Sequence, residues 1–109
     1  MTELEDGAVS LLKATAEIIG KGWTQGCKAR DRAGEPVDHD DPAARRWSLN
    51  GALSLATRDL YGVGHIAYRC LLAETGCLTL RDYNDHACYR KSDVIAPIHR
   101  AIETLERSL

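Results

Sequence analysis

Cysteine, histidine and carboxylate side chains offer the most direct chemistry in this chain. Cys70, Cys77, His86 and Cys88 supply four ligands, enough for tetrahedral zinc. Their spacing is poor for it, because there is no Cys-x2-Cys knuckle and a free cysteine usually packs as a small hydrophobe. They stand as weak metal candidates, and the expectation is neither metal nor cofactor. Asp38-His39-Asp40-Asp41 could chelate a hard cation, although the same acids serve equally as helix caps facing solvent. Cys27 is a conceivable nucleophile, which would need a thiolate-stabilising setting and a positioned base. His65 and His99 fall in helical stretches with no evident partner. No phosphate-binding glycine loop or serine elbow is present.

Two further groups of residues point to binding rather than reaction. Lys28, Arg30 and Arg32 alternate, which on a strand would place three cations on one side. Such a stripe binds phosphates or an acidic protein even on a chain of net charge −2. Gln25, Asn84 and Asp85, with Arg46, make the second group. They lie near Trp23 and Trp47 in sequence motifs, and a buried indole N–H needs an acceptor. Gln25, Asn50, Asn84 and Asp85 are the candidate acceptors, and Arg45 or Arg46 could pair with Asp85. These groups either hold helices together or, with Cys27, face a ligand in an open pocket.

The elements that must position these groups are mostly helical. Val9, Leu12, Ala16 and Ile19 recur at three-to-four spacing, which predicts a helix over 3–21 ending at Gly20 and Gly22. Residues 22–41 read as an irregular or short β-hairpin excursion with a turn at Ala33-Gly34-Glu35-Pro36. Asp40-Asp41-Pro42 predicts the cap and first residue of a second helix running to about Thr57, with Trp47 on its inner side. Gly51 inside that helix costs about 1 kcal/mol relative to alanine, which predicts close approach of a backbone or an aromatic ring. A third helix is expected from about Tyr61 to Thr75, with Ile66, Cys70, Leu71 and Ala73 inward and Gly76 beyond its end. Thr79–Asp82 reads as a single turn before a corner at Tyr83-Asn84-Asp85. A last helix follows Ser92, with Val94, Ile98, Ala101, Ile102 and Leu105 inward and Pro97 as an irregularity.

At 109 residues the chain fits one domain, 1–109, and a chain of this size buries roughly two-thirds of its unfolded surface. The expected fold is therefore a mainly α, single-domain bundle of four or five helices with the 22–41 excursion over one end. No apolar run approaches a membrane span and the acidic start lacks a signal peptide's character, so the expected compartment is the cytoplasm, with reduced thiols.

Three motifs stand out: Gly22-Trp23-Thr24-Gln25-Gly26, Arg46-Trp47-Ser48-Leu49-Asn50-Gly51-Ala52-Leu53 and Tyr83-Asn84-Asp85. With the Ala29–Val37 turn, they resemble a family of small bacterial and phage proteins of unknown function over roughly residues 8–106. That family shows Gly-Trp-x-Gln-Gly, Arg-Trp-(Cys/Ser)-x-x-Gly-Ala-Leu and Trp/Tyr-Asn-Asp. Ser48 stands where cysteine is more usual and Tyr83 where tryptophan is. The resemblance implies a compact helical fold in a bacterial or mobile-element setting, with no established activity. The expected function is a non-enzymatic protein-binding or regulatory module with a protein partner, which could include a host defence complex. The alternatives are nucleic-acid or nucleotide contact through Lys28, Arg30 and Arg32, or a small ligand-binder or enzyme around Gln25, Cys27, Asn84 and Asp85.

Overall fold

Acidic residues Glu3, Glu5 and Asp6 open the first helix and Lys21 closes it, each charge matching the helix pole it sits beside. In the computed structural model, which describes residues 3–58 and 63–107, this helix is α1 (Glu3–Lys21). Its stripe of Ala8, Leu11, Leu12 and Ile19 is fully buried. It packs against α2 (Leu49–Thr57), α3 (Gly64–Thr75) and α5 (Lys91–Arg107). The inner face of α5 is as expected: Val94, Ile98, Ala101, Ile102 and Leu105 are all buried. The bundle is thus mainly α, with five helices among the described residues, one of them the three-residue α4 (Leu80–Asp82).

The second helix departs from expectation. Asp40-Asp41-Pro42 starts no helix: Asp41 Oδ1 accepts from Ala43 N–H (2.8 Å) and its carbonyl from Ala44 N–H (2.9 Å), closing a turn. Regular helix begins only at Leu49, capped by Ser48, whose Oγ accepts from Gly51 N–H at 3.1 Å. The physical reason lies in the backbone donors upstream. Arg45 N–H donates to Arg30 O (2.8 Å), Trp47 N–H to Gly22 O (2.9 Å) and Ser48 N–H to Lys28 O (3.0 Å). Those donors serve a sheet, so Arg46–Trp47 forms a strand.

The excursion is therefore more ordered than a hairpin. Ala29–Arg30 (β1) pairs antiparallel with both Pro36–Val37 (β2) and Arg46–Trp47 (β3), giving the order β2-β1-β3. Ala29 sits opposite Val37 on one side and Trp47 on the other. A parallel bridge between Trp23 and Trp47 joins the end of α1 to the sheet. Gly51 shows why its helix tolerates a glycine, because a Cβ there would overlap the Lys28 carbonyl oxygen. The expected close approach is thus a backbone, that of the residue leading into β1.

In α3 the buried pair is Ala67 and Leu71, with Ile66 and Cys70 half-buried. Ala73, expected inward, is exposed. The helix ends as expected at Gly76, left-handed with φ 69°. Its expected first residues, Tyr61 and Gly62, lie outside the described residues. Helix α4 runs directly into a wider π-helical turn over Tyr83–Ala87. Helix α5 starts one residue before Ser92, and its first turn is held by Asp93 Oδ2, which accepts from Tyr89 N–H (2.9 Å) and Arg90 N–H (3.1 Å). Pro97 stays inside this helix rather than delaying it. The carbonyl that a residue-97 N–H would have bonded is that of Asp93, four residues back. Tyr83 O–H donates to it at 2.8 Å instead.

Candidate functional site

The π-helical turn carries Asn84 into the body of the protein, where its carboxamide is fully buried. Its Oδ1 accepts from Trp23 Nε1–H (2.7 Å) and from Leu49 N–H (3.0 Å). Its Nδ2 donates to Thr24 O (3.1 Å) and Asp85 Oδ1 (2.9 Å). A primary amide has two donors and two acceptor sites, so this one is saturated. The Leu49 bond also satisfies a first-turn N–H of α2. One side chain thus fastens the segment after α1, the start of α2 and its own turn.

Gln25 repeats the arrangement from the other direction. Its Nε2 lies 2.8 Å from Asn84 O, 3.0 Å from Cys88 O and 3.4 Å from Asp85 O, and donates to the carbonyls that end the π-helical turn. Asp85 Oδ1 also accepts from Gly26 N–H at 3.0 Å. Trp23, Gln25, Asn84 and Asp85 therefore come together as a filled junction. Trp47 finds a different partner from those foreseen, donating to His39 O at 3.0 Å. Asp85 pairs with neither Arg45 nor Arg46. Its charge partner is Arg81, one helical turn earlier, at 4.0 Å. The i,i+4 spacing of Arg81 and Asp85 is a signal the sequence carried.

The three cations of the excursion separate in the structure. Arg30 is half-buried and works internally: Nε donates to Thr24 Oγ1 (2.8 Å), one terminal nitrogen to Gly34 O (2.9 Å) and the other to Gln25 O (3.1 Å). It braces the loop. Lys28 and Arg32 are exposed, as is Arg46 on β3. Only β1 is extended there, so the three do not form one continuous strand face.

Beside the junction lies a cleft of about 220 Å³ lined by Gly26, Cys27, Lys28, Asn50, Arg81 and Asp85. Lys28 and Arg81 bring two cations to its walls. The Cys27 thiol donates to Ala29 O at 3.2 Å, and no histidine is among the lining residues. Asn50 Oδ1 accepts from Ser48 Oγ–H at 2.9 Å, which turns the amide nitrogen's two donors to other partners. The cleft holds two cations, Lys28 and Arg81, against one carboxylate, Asp85, which pairs with Arg81, and it has no paired nucleophile and base.

The four weak metal candidates do not converge, and among the described residues no three His, Cys, Asp or Glu side chains are grouped to hold a cation. Cys70 lies on α3, where burial raises its pKa and the charges acting on it are Arg69, Glu74 and Glu5. Cys88 is buried below Tyr83. Burial first, then Asp93 and Cys77, push its thiol up to about 11, against a hydrogen bond from Tyr83. The Tyr83 phenol is raised as well, mainly by burial. His86 is exposed. Among the described residues, no helix is long and apolar enough to cross a membrane.

No curated protein and no solved structure matches this chain. A family model does, described as "Family of unknown function (DUF6197)", and it aligns with residues 5–104. That span takes in α1, the sheet, the junction and nearly all of α5, so the chain belongs to this family of unknown function.

Proposed function

We propose that this protein is a non-enzymatic binding or regulatory module that engages an acidic segment of a protein partner. The observation that carries the reading is the state of the polar residues. Asn84, Gln25 and Arg30 are engaged within the chain, while Lys28 and Arg81 stand exposed on the walls of the adjoining cleft. A partner carboxylate there would meet Lys28, the Asn50 amide and Arg81, whose charge also offsets the Asp85 carboxylate of the same cleft. Protein is favoured over nucleic acid by Leu78 and Tyr89, which project almost wholly into solvent and flank Arg81 and Asp85 in the sequence. Tyrosine and arginine around an apolar side chain are typical of protein interfaces. In the bacterial or mobile-element setting that the family resemblance implies, the partner would be a host protein, with defence complexes as the first to examine.

Affinity capture from the native host, with and without nuclease, tests the reading. The expected result is a reproducible protein that survives nuclease and is lost with Lys28→Glu and Arg81→Glu. Recovery of nucleic acid alone would reverse the order, and retention of the partner by both variants would overturn the proposed surface.

A further inference from the structure

Asp85 lines the cleft beside the junction, and it is the one acid among the residues that wall it. Its carboxylate is held firmly. Oδ1 accepts from Gly26 N–H (3.0 Å) and from Asn84 Nδ2–H (2.9 Å), and only 16% of the side chain is exposed. Arg81 is held loosely. Its Nε lies 4.0 Å from Asp85 Oδ2, and 77% of its side chain is exposed. A pair this open to water is weak, so a competing acid can take the guanidinium. Asp85 cannot follow it, because its other oxygen is fastened to two donors.

Lys28 differs from Arg81. Its carbonyl accepts from Ser48 N–H (3.0 Å) and Ser48 Oγ–H (3.3 Å), which fixes its backbone. Among the described residues no carboxylate pairs with its ammonium. Lys28 and Arg81 against Asp85 leave the cleft one positive charge in excess. An incoming acid therefore meets Lys28 unopposed, but must win Arg81 from a resident carboxylate whose charge repels it. A repulsive element of this kind lowers affinity and sharpens selectivity.

We propose that Asp85 is a built-in competitor for Arg81, which restrains the binding of acidic segments and loses the guanidinium when one binds. The inference rests on the acidic-partner reading and adds a regulation of the same cleft.

Amide NMR titration of the full chain with acetyl-hexaglutamate amide, and with the hexaglutamine peptide as neutral control, tests it. The expected result is saturable shifts at Lys28, Asn50 and Arg81 with the glutamate peptide alone, lost in Lys28→Glu. Asp85→Asn keeps an Oδ1 that accepts from Gly26 and Asn84 but removes the charge, so it should bind the glutamate peptide at least about threefold tighter. Glu106→Gln, the same change of net charge at an exposed position on α5, should not tighten binding. The wild-type chain gives a second readout, because its Arg81 Nε–H resonance should move as the peptide saturates. Equal or weaker binding by Asp85→Asn, equal tightening by Glu106→Gln, or an Arg81 resonance still at its free position at saturation would overturn the competitor and leave the acidic-partner reading standing. No Lys28-dependent shift in either wild type or Asp85→Asn would overturn both.

Discussion

Asn84 is the residue on which most depends. Its removal leaves Trp23 Nε1–H, Leu49 N–H, Thr24 O and Asp85 Oδ1 each short of a bond. Unsatisfied buried groups cost about 1–3 kcal/mol apiece, and relaxation and water recover part of the sum. Asn84→Ala is therefore expected to destabilise by about 3–5 kcal/mol in urea unfolding, and a loss below about 1 kcal/mol would contradict its role. Cys88 gives a prediction in pH. Its ordinary thiol value of 9.0 rises to about 11 in the folded protein, mainly through burial. The unfolded chain thus releases this proton first as pH rises, and stability falls between about 9 and 11. Cys88→Ser should flatten the alkaline limb of a denaturation series, whatever it does to stability at neutral pH.

At the scale of elements, two places pit local preference against packing. Glycine to alanine inside a helix ordinarily stabilises by up to about 1 kcal/mol. At Gly51 the sign should reverse, because the new methyl would overlap the Lys28 carbonyl where β1 begins. Gly51→Ala should cost about 2 kcal/mol or more by equilibrium unfolding, on the 1–3 kcal/mol scale of overpacking. Tyr83 and Pro97 form the second case. Tyr83→Phe leaves the Asp93 carbonyl without its donor, at about 1 kcal/mol. In a Pro97→Ala background the helix supplies its own N–H, so the same change should cost less. A double-mutant cycle measures the difference, and strict additivity would refute the substitution of one donor for another.

The same elements show what the sequence made legible. The apolar periods of α1 and α5 are local facts, and both helices lie where those periods put them. The second helix ends at Thr57 as expected but starts seven residues later than Pro42, because Asp41 and Pro42 are good opening residues whose pattern is also that of a turn. What decides between them is the demand of Gly22, Lys28 and Arg30 carbonyls for donors from residues 45–48, a non-local condition. Trp23, Gln25, Asn84 and Asp85 were readable as one polar group from their types alone. That Arg30 braces the loop while Lys28 stays exposed was not readable, since alternation along a chain says nothing about which carbonyls lie within reach.

For the molecule as a whole, the net charge is −2, and the exposed cations Lys28, Arg32, Arg46 and Arg81 of the sheet and α4 region are interspersed with the exposed acids Glu35, Asp38, Asp40 and Asp82. Exposed charges of this kind contribute little to stability, so Lys28→Glu combined with Arg81→Glu should shift unfolding by no more than about 1 kcal/mol. Partner capture should nevertheless fail, and wild-type capture should weaken as salt is raised. A surface variant that unfolds the protein would place those side chains in the framework instead. The junction that carries this surface joins residues about sixty positions apart in sequence, Trp23 to Asn84 and Gln25 to the end of the same turn. Synthesis runs from the N-terminus, so α1, the sheet strands and α2 are all made before the residue that fastens them. The Trp23 indole must wait for its acceptor while 61 further residues are added, and messages truncated before residue 84 yield a polypeptide for the proteases rather than a smaller working protein.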